Sequence, residues 1–177
     1  RNLVIFPGMV QTLAVGRPKS LALVQQAALS SEKLFAVAAQ KDTEQEDPPF
    51  DGIYHVGCLV RILKLIKMPD GTQTTVVQGV SRLRLAELMH SEPYFAVRCE
   101  VLRDVVERGK GLDALVLSAQ QLVGRLTELS SHVPDEASIV ANNLQDPGQL
   151  ADFIVANLNY DADRKQMFLD ELNVRRR

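Results

Sequence analysis

The sequence predicts an α+β fold, with a mainly antiparallel, barrel-like sheet in its first part and an α-helical bundle in its second. Three observations carry that expectation. Up to about residue 104 the apolar residues alternate or form short runs broken by Pro and Gly, the pattern of strands with one buried face. From Leu112 onward they recur at about 3.6 residues, the period of a helix. Two short signatures, Met68-Pro69-Asp70-Gly71 and Asp146-Pro147-Gly148-Gln149, sit where a hairpin turn and a helix start are needed.

Residues 3–6 and 9–15 read as short strands separated by Pro7-Gly8, a dipeptide that turns the chain. Pro18 suits a first helical turn, and Leu21, Val24 and Ala28 follow at helical spacing up to Ser31. Residues 34–40 return to strand. The acidic stretch 41–52, with Pro48-Pro49, cannot bury enough apolar surface to fold by itself and is expected to be a mobile surface loop. Residues 56–67 and 72–78 flank the hairpin turn, in which Pro presets one dihedral and Gly takes positive φ. Gly79 then interrupts two strand-like runs, the mark of a bulge or bend. In 81–88, Arg82 and Arg84 share one face while Leu83 and Leu85 share the other, and 94–102 completes the sheet.

In the helical part, Leu115, Ala119, Leu122, Leu126 and Leu129 form one stripe with Val116 and Val123 beside it. Pro134 ends that helix, and Ile139, Val140 and Leu144 mark a short second one. Asp146 caps the next helix, Pro147 fills its first turn, and Gln149 is placed to reach back to the cap amide. Asp161 caps a last helix with Met167, Phe168 and Leu172 inward. The expected organisation is therefore a β-rich domain over 1–104, a linker over 105–111 and a helical subdomain over 112–177.

A chain of 177 residues suffices for one full core, or for a domain with a helical satellite. Its formal charge of −2 supplies no field to concentrate nucleic acid or an anionic membrane. No apolar run approaches the ~18 residues of a membrane span. Arg1 opens almost inside a strand and Arg177 follows directly on a helical pattern, so a fragment of a longer protein is expected. Cys58 and Cys99 both lie in apolar strand contexts and read as buried, reduced thiols.

Catalytic and cofactor sites find little support. Gly109-Lys110-Gly111 lacks the spacing and the hydroxyl of a phosphate-cradling loop. Ser30-Ser31-Glu32-Lys33 matches Ser-x-x-Lys, but the companion elements of acyl-serine enzymes are absent and a helix end explains the residues. His55, His90 and His132 have no partner at metal-ligand spacing. Arg82, Arg84, Arg98, Arg103 and Arg108 would suit RNA, yet Glu87, Glu92, Glu100 and Glu107 are interleaved with them, as on a salt-bridged sheet face. No catalytic, metal or cofactor residue is assigned.

One set of landmarks, in one order, resembles the amino-terminal domain of the Lon family of ATP-dependent proteases. Phe6-Pro7-Gly8-Met9 is similar to its Phe-Pro-x-Met element, and Val56-Gly57 before Arg61-Ile62 to its Val-Gly step. Asp70-Gly71, the stretch from Gly79 to Arg84, and Pro93-Tyr94-Phe95 match its hairpin, Gly-x-x-Arg-x-Arg segment and strand start. Asp146 through Ile154 matches Asp-Pro-x-x-Leu-Ala-Asp-x-Ile; Lys165-Gln166 with Leu169, Leu172 and Val174 completes the series. Thr74 and Thr75 depart from the pattern, being more polar than basic or apolar.

The resemblance implies a PUA-like barrel followed by a helical bundle. It further implies a non-catalytic domain that recognises unfolded or damaged proteins and delivers them to a homo-hexameric ATPase and serine protease, in the bacterial cytoplasm or the mitochondrial matrix. ATP and Mg²⁺ would serve the missing downstream module, with neither nucleic acid nor membrane as partner. A free-standing Lon-like adaptor and an RNA-binding PUA-like module remain as alternatives. Capture of many sequences needs adaptable apolar contacts near turns and strand ends, for which Met9, Phe50, Tyr54, Met68 and Met89 are the candidates.

Overall fold

The fold was taken from a computed structural model, which describes residues 3–69, 71–129 and 136–177. Asp70 of the expected hairpin turn, His132, and the helix-ending Pro134 lie outside the described residues. Among the described residues, five strands and five α-helices follow in the order β1 (Val10–Val15), α1 (Pro18–Leu29), β2 (Leu34–Val37), β3 (Val56–Lys67), β4 (Gln73–His90), β5 (Ala96–Val101), α2 (Lys110–Leu129), α3 (Glu136–Asn143), α4 (Pro147–Asn157) and α5 (Ala162–Asp170), with one 3-10 turn at Phe50–Gly52. Every strand pairing is antiparallel.

The long strand β4 organises the sheet. The strand order is β1-β4-β3-β2, with β5 also on β4. Because β3 occupies one side of β4 from Gln73 to Arg84, β1 and β5 lie end to end along the other side, β1 against Gln73–Gln78 and β5 against Leu83–His90. The Phe6-Pro7-Gly8-Met9 element fills the gap between them. The Gly8 amide donates to the Gly79 carbonyl at 2.9 Å, and the Gly79 amide to the Met9 carbonyl at 2.8 Å. A Cβ on Gly79 would overlap the Phe6 carbonyl oxygen, so two of the sequence landmarks are the two halves of one contact.

Several expectations are corrected. Residues 3–6 form no strand, although Val4, Ile5 and Phe6 are buried; their apolar run is consumed by packing, and the ladder starts only at Val10. The two runs on either side of Gly79 are a single strand, and the expected irregularity appears as a register shift that leaves Val80 unmatched on β4. The 41–52 stretch is laced down: the buried Gln40 amide donates to the carbonyls of Asp42 and Gln45, Lys41 N–H donates to Gly52, and Lys19 pairs with Asp47 at 3.0 Å. Cys58 is buried, but Cys99 is exposed, because Cys99 lies on β5, whose outer edge no other strand covers.

Three apolar clusters hold the layers together. The first joins α1 (Val24, Ala27) to the sheet through Phe35, Cys58, Val60, Ile62 and Val77. The second joins Val4, Phe6 and Ala39 to Val155 of α4 and Leu169 of α5. In the third, Val123, Ala141 and Leu150 unite α2, α3 and α4. Here the expected helix faces rotate. On α2 the buried residues are Leu112 and Val123, with Val116 and Ala119 partly covered, while Leu122 is 57% and Leu129 83% exposed. Helices α3 and α4 approach α2 from the valine side, where smaller side chains admit them, and Gln120 donates to the Ala141 carbonyl there. On α5 the inward residues are Gln166 and Leu169, and Met167 points out, because the Gln166 amide reaches the Val56 carbonyl of the sheet. Both expected caps are present, Asp146 accepting from the Gln149 amide and Asp161 from the Arg164 amide.

On the buried face of β4 the Thr75 hydroxyl oxygen has no hydrogen-bond partner. Replacing an unpartnered buried hydroxyl by a methyl of similar shape removes its desolvation cost. Thr75→Val is expected to raise unfolding free energy by about 1 kcal/mol in urea titration; a fall of that size would instead assign the hydroxyl a bonded water.

Candidate binding cleft

Two features dominate the surface and the seam between the layers: a buried charge network and an open cleft. The network is assembled from four distant places in the chain. Arg82 of β4 is 2% exposed; its Nε donates to the Leu169 carbonyl at 3.0 Å and its two Nη groups grip the Asp152 carboxylate of α4, one at 2.8 Å. Arg177 donates through both Nη groups to Asp104 at 2.6 and 3.1 Å and approaches Asp152 at 3.4 Å. Gly148 in the first turn of α4 lets this cluster close, since a Cβ there would strike the Asp104 carboxylate. Burial holds the Asp152 carboxyl above its usual range, and the Arg82 and Arg177 guanidiniums offset only part of that rise. Arg177 also lines a smaller pocket of about 290 Å³ between α2 and α4, whereas Arg82, at the centre of the network, fastens α4 and α5 to the sheet.

Three of the five arginines of the basic stripe are paired with carboxylates. Arg82 is spent on Asp152, Arg84 pairs with Glu100, and Arg98 pairs with Glu87 at 2.9 Å. Glu87 and Glu100 thus serve as salt-bridge partners on the sheet face, while Glu92 pairs with Lys19 instead.

The cleft lies on the other side, between α1, the outer edges of β1 and β2, and the approach to β5. It encloses about 460 Å³. Leu13, Leu23, Phe35, Val37 and Val97 form its apolar walls, with Tyr94 and Phe95 at one end and Asp47 and Pro48 at the rim. Sidewall polar groups are themselves held. Tyr94 OH is bonded to Gln26, and Lys19 lies between Asp47 and Glu92 at 3.0 and 3.2 Å, carboxylates that raise its pKa. Arg17 donates to the Gln40 side-chain oxygen through both Nη groups at 3.3 Å.

The five candidates from the sequence are scattered over the molecule. Phe50 comes nearest the cleft: its ring stacks on His55 at 4.8 Å and meets the edge of Phe95, which lines the cleft, at 6.2 Å. Met9 is half-buried against the second apolar cluster. Tyr54 packs on the same cluster, and its hydroxyl contacts Asp163 of α5 at 3.0 Å. Met68 is exposed beyond the end of β3, next to the start of β4. Met89 is exposed near the other end of β4, in a register shift that re-aims its side chain. Met68 and Met89 therefore cannot touch one small ligand together. The cleft residues Arg17, Phe35, Tyr94 and Phe95 escaped sequence reasoning. The signal for two of them was present in Pro93-Tyr94-Phe95, adjacent aromatics at a strand start.

The structure is thus a β-sheet module with an apolar cleft, fastened to a helical layer, with no group of metal-ligating side chains among its described residues. Residues 1–177 match the substrate-binding domain of ATP-dependent protease La (LON), and the chain belongs to that family. It is 38% identical over 177 residues to the Lon protease of Dictyoglomus thermophilum, covering all of this chain and 22% of that protein. It is 36% identical to the Lon protease of Anaeromyxobacter dehalogenans, covering all of this chain and 21% of the relative. The chain thus spans about a fifth of the length of these relatives. Its fold is that of the N-terminal domain of Mycobacterium avium complex Lon protease, with a TM-score of 0.74 at 22% identity over 98% of this chain and 87% of that one. The Lon N-terminal domain protein from Xanthomonas campestris also matches, with a TM-score of 0.66 at 14% identity over 98% and 88% of the two chains. Among the described residues no helix is long and apolar enough to cross a membrane.

Removing one partner from a buried ion pair strands the other charge. Asp152→Ala is expected to cost about 3–5 kcal/mol in urea titration, whereas breaking the exposed pair with Arg84→Ala should cost under ~1 kcal/mol. The cysteines provide a second measurement. Burial pushes the Cys58 thiol up to about 12, so iodoacetamide at pH 8 should alkylate Cys99 in the native protein and reach Cys58 only after denaturation.

Proposed function

We propose that this domain captures unfolded or damaged polypeptide and delivers it to the ATPase and serine-protease modules of a Lon-type homo-hexamer in the bacterial cytoplasm. The observation that supports this reading is the cleft: an apolar, aromatic-ended trough on a module that matches a substrate-binding domain along its whole length. Catalysis, with ATP and Mg²⁺, belongs to the remaining four-fifths of such proteins, and this domain contributes recognition alone. Neighbouring subunits are its other partners.

The physical basis is weak, additive apolar contact. Each exposed anchor contributes on the order of 1 kcal/mol, so affinity comes from several engaged together. Phe50 at the cleft, and Met68 and Met89 beyond it, are the anchors we assign; Met9 and Tyr54 support the surface from the second cluster.

The test is binding of a reduced, carboxymethylated protein to the isolated domain. Phe50→Ser, Met68→Ser and Met89→Ser should each weaken capture about fivefold, the equivalent of ~1 kcal/mol, and leave the melting temperature within a few degrees. Capture should persist at high salt, since apolar contact is not screened. The domain alone should neither hydrolyse ATP nor cleave casein. Normal binding by all three variants, together with loss of capture on Arg84→Glu, would establish an electrostatic surface and overturn the reading.

A further inference from the structure

We propose that the cleft takes its polypeptide as an added β-strand, hydrogen-bonded antiparallel to the free edge of β2, with Arg17 pairing with an acidic side chain of the captured segment. The proposal rests on the capture reading and adds to it the conformation and the charge of the ligand.

The edge comes first. Among the described residues β2 pairs with β3 and with no other strand, so the other side of its backbone has no strand partner. The Ile62 amide donates to the Lys33 carbonyl, which sets the phase of this ladder. In an antiparallel pair only alternate residues bond across. Given the register Phe35↔Val60 and Val37↔Cys58, those two residues face β3, and the N–H and C=O of Leu34 and Ala36 face away from it. Phe35, Ala36, Val37 and Ala38 all line the cleft, so the open backbone runs along its wall.

Exposed strand edges in soluble proteins are ordinarily guarded by charge or proline. β5, which also pairs on one side only, carries Arg98 and Glu100. β1 and β2, the two strands that border the cleft, carry no charged residue and no proline. The unguarded edges are therefore the ones at the trough, and Ala36 and Ala38 leave room beside theirs. An added strand would point alternate side chains into the apolar walls and toward Tyr94 and Phe95. A partner for the four residues of β2 spans about 13 Å.

The charge follows from Arg17. Its half-buried side chain lines the cleft and, among the described residues, donates to the neutral Gln40 oxygen, whereas the nearby Lys19 has two carboxylates. Among the described residues no carboxylate lies within 4.0 Å of Arg17. A cation so placed favours an acidic residue on the incoming strand.

The test uses a fluorescent eight-residue peptide of alternating Val and Thr with one Glu, measured by anisotropy against the isolated domain. Two derivatives carry N-methyl groups on one or the other alternate set of backbone amides. Strand addition predicts that one set lowers affinity about tenfold or more, and the other less than about twofold, because only one set faces β2. Ala36→Pro, which removes an outward N–H and none of the bonds to β3, should weaken the parent peptide similarly, with circular dichroism checking that its fold is kept. Arg17→Gln should weaken the Glu peptide about fivefold and leave its Gln counterpart unchanged. Equal binding by both methylated derivatives overturns strand addition, as does capture of unfolded protein by a domain that ignores the peptides. Failure to bind either peptides or unfolded protein would remove the capture reading itself.

Discussion

The pairing of Arg82 with Asp152 is the constraint on which the arrangement of layers depends. Burying two charges gains little net stability, since desolvation offsets most of the attraction. Its effect is on position. A guanidinium held by a bidentate carboxylate and a helix carbonyl accepts one geometry, so α4 and α5 can dock on the sheet in one orientation. Arg177 and Asp104 extend the same network to the end of the chain, and Gly148 supplies the clearance. The connection is reinforced where Val105 exchanges backbone hydrogen bonds with Leu172 and Val174. Residues read as a linker are thereby drawn into the seam.

With that seam closed on one side, the sheet is left unfinished on the other. β4 spends both of its edges, on β3 and on β1 with β5, and no strand joins β1 to β2. Helix α1 covers part of the opening through Val24 and Ala27, and the cleft is what α1 leaves uncovered. The trough is a consequence of topology, which explains why its walls are made of ordinary core residues such as Leu13 and Phe35 at the point where the core meets solvent.

Much of the fold was legible because its signals are local. Pro18, Asp146 and Asp161 act within one helical turn, and each marks a helix start in the structure. The irregularity at Gly79 was also legible, since a glycine between two strand-like runs has few other uses. Helix faces were harder. The leucine row on α2 has the right period, but which side of a helix is buried depends on where its neighbours lie, and these come from the valine side. The partnership of Arg82 with Asp152 was hidden for the same reason: both residues stand in recognisable landmarks, yet 70 residues separate them. The cleft was least legible, because a concavity is made by elements meeting and leaves no pattern in any one of them. The five candidates rest on chemistry and proximity to turns, which carry no information on whether side chains converge.

The order in which the chain emerges from the ribosome gives the network a temporal meaning. Asp104 waits 73 residues for Arg177, and Arg82 waits 70 for Asp152. At ~5–20 residues per second, 70 residues take roughly 4–14 s to synthesise. Until Asp152 has been made, the carboxylate available to Arg82 is the more distant Asp104, 22 residues further along the chain. The closest pairs of the network, Arg82 with Asp152 and Arg177 with Asp104, therefore form only once the last helices have been made.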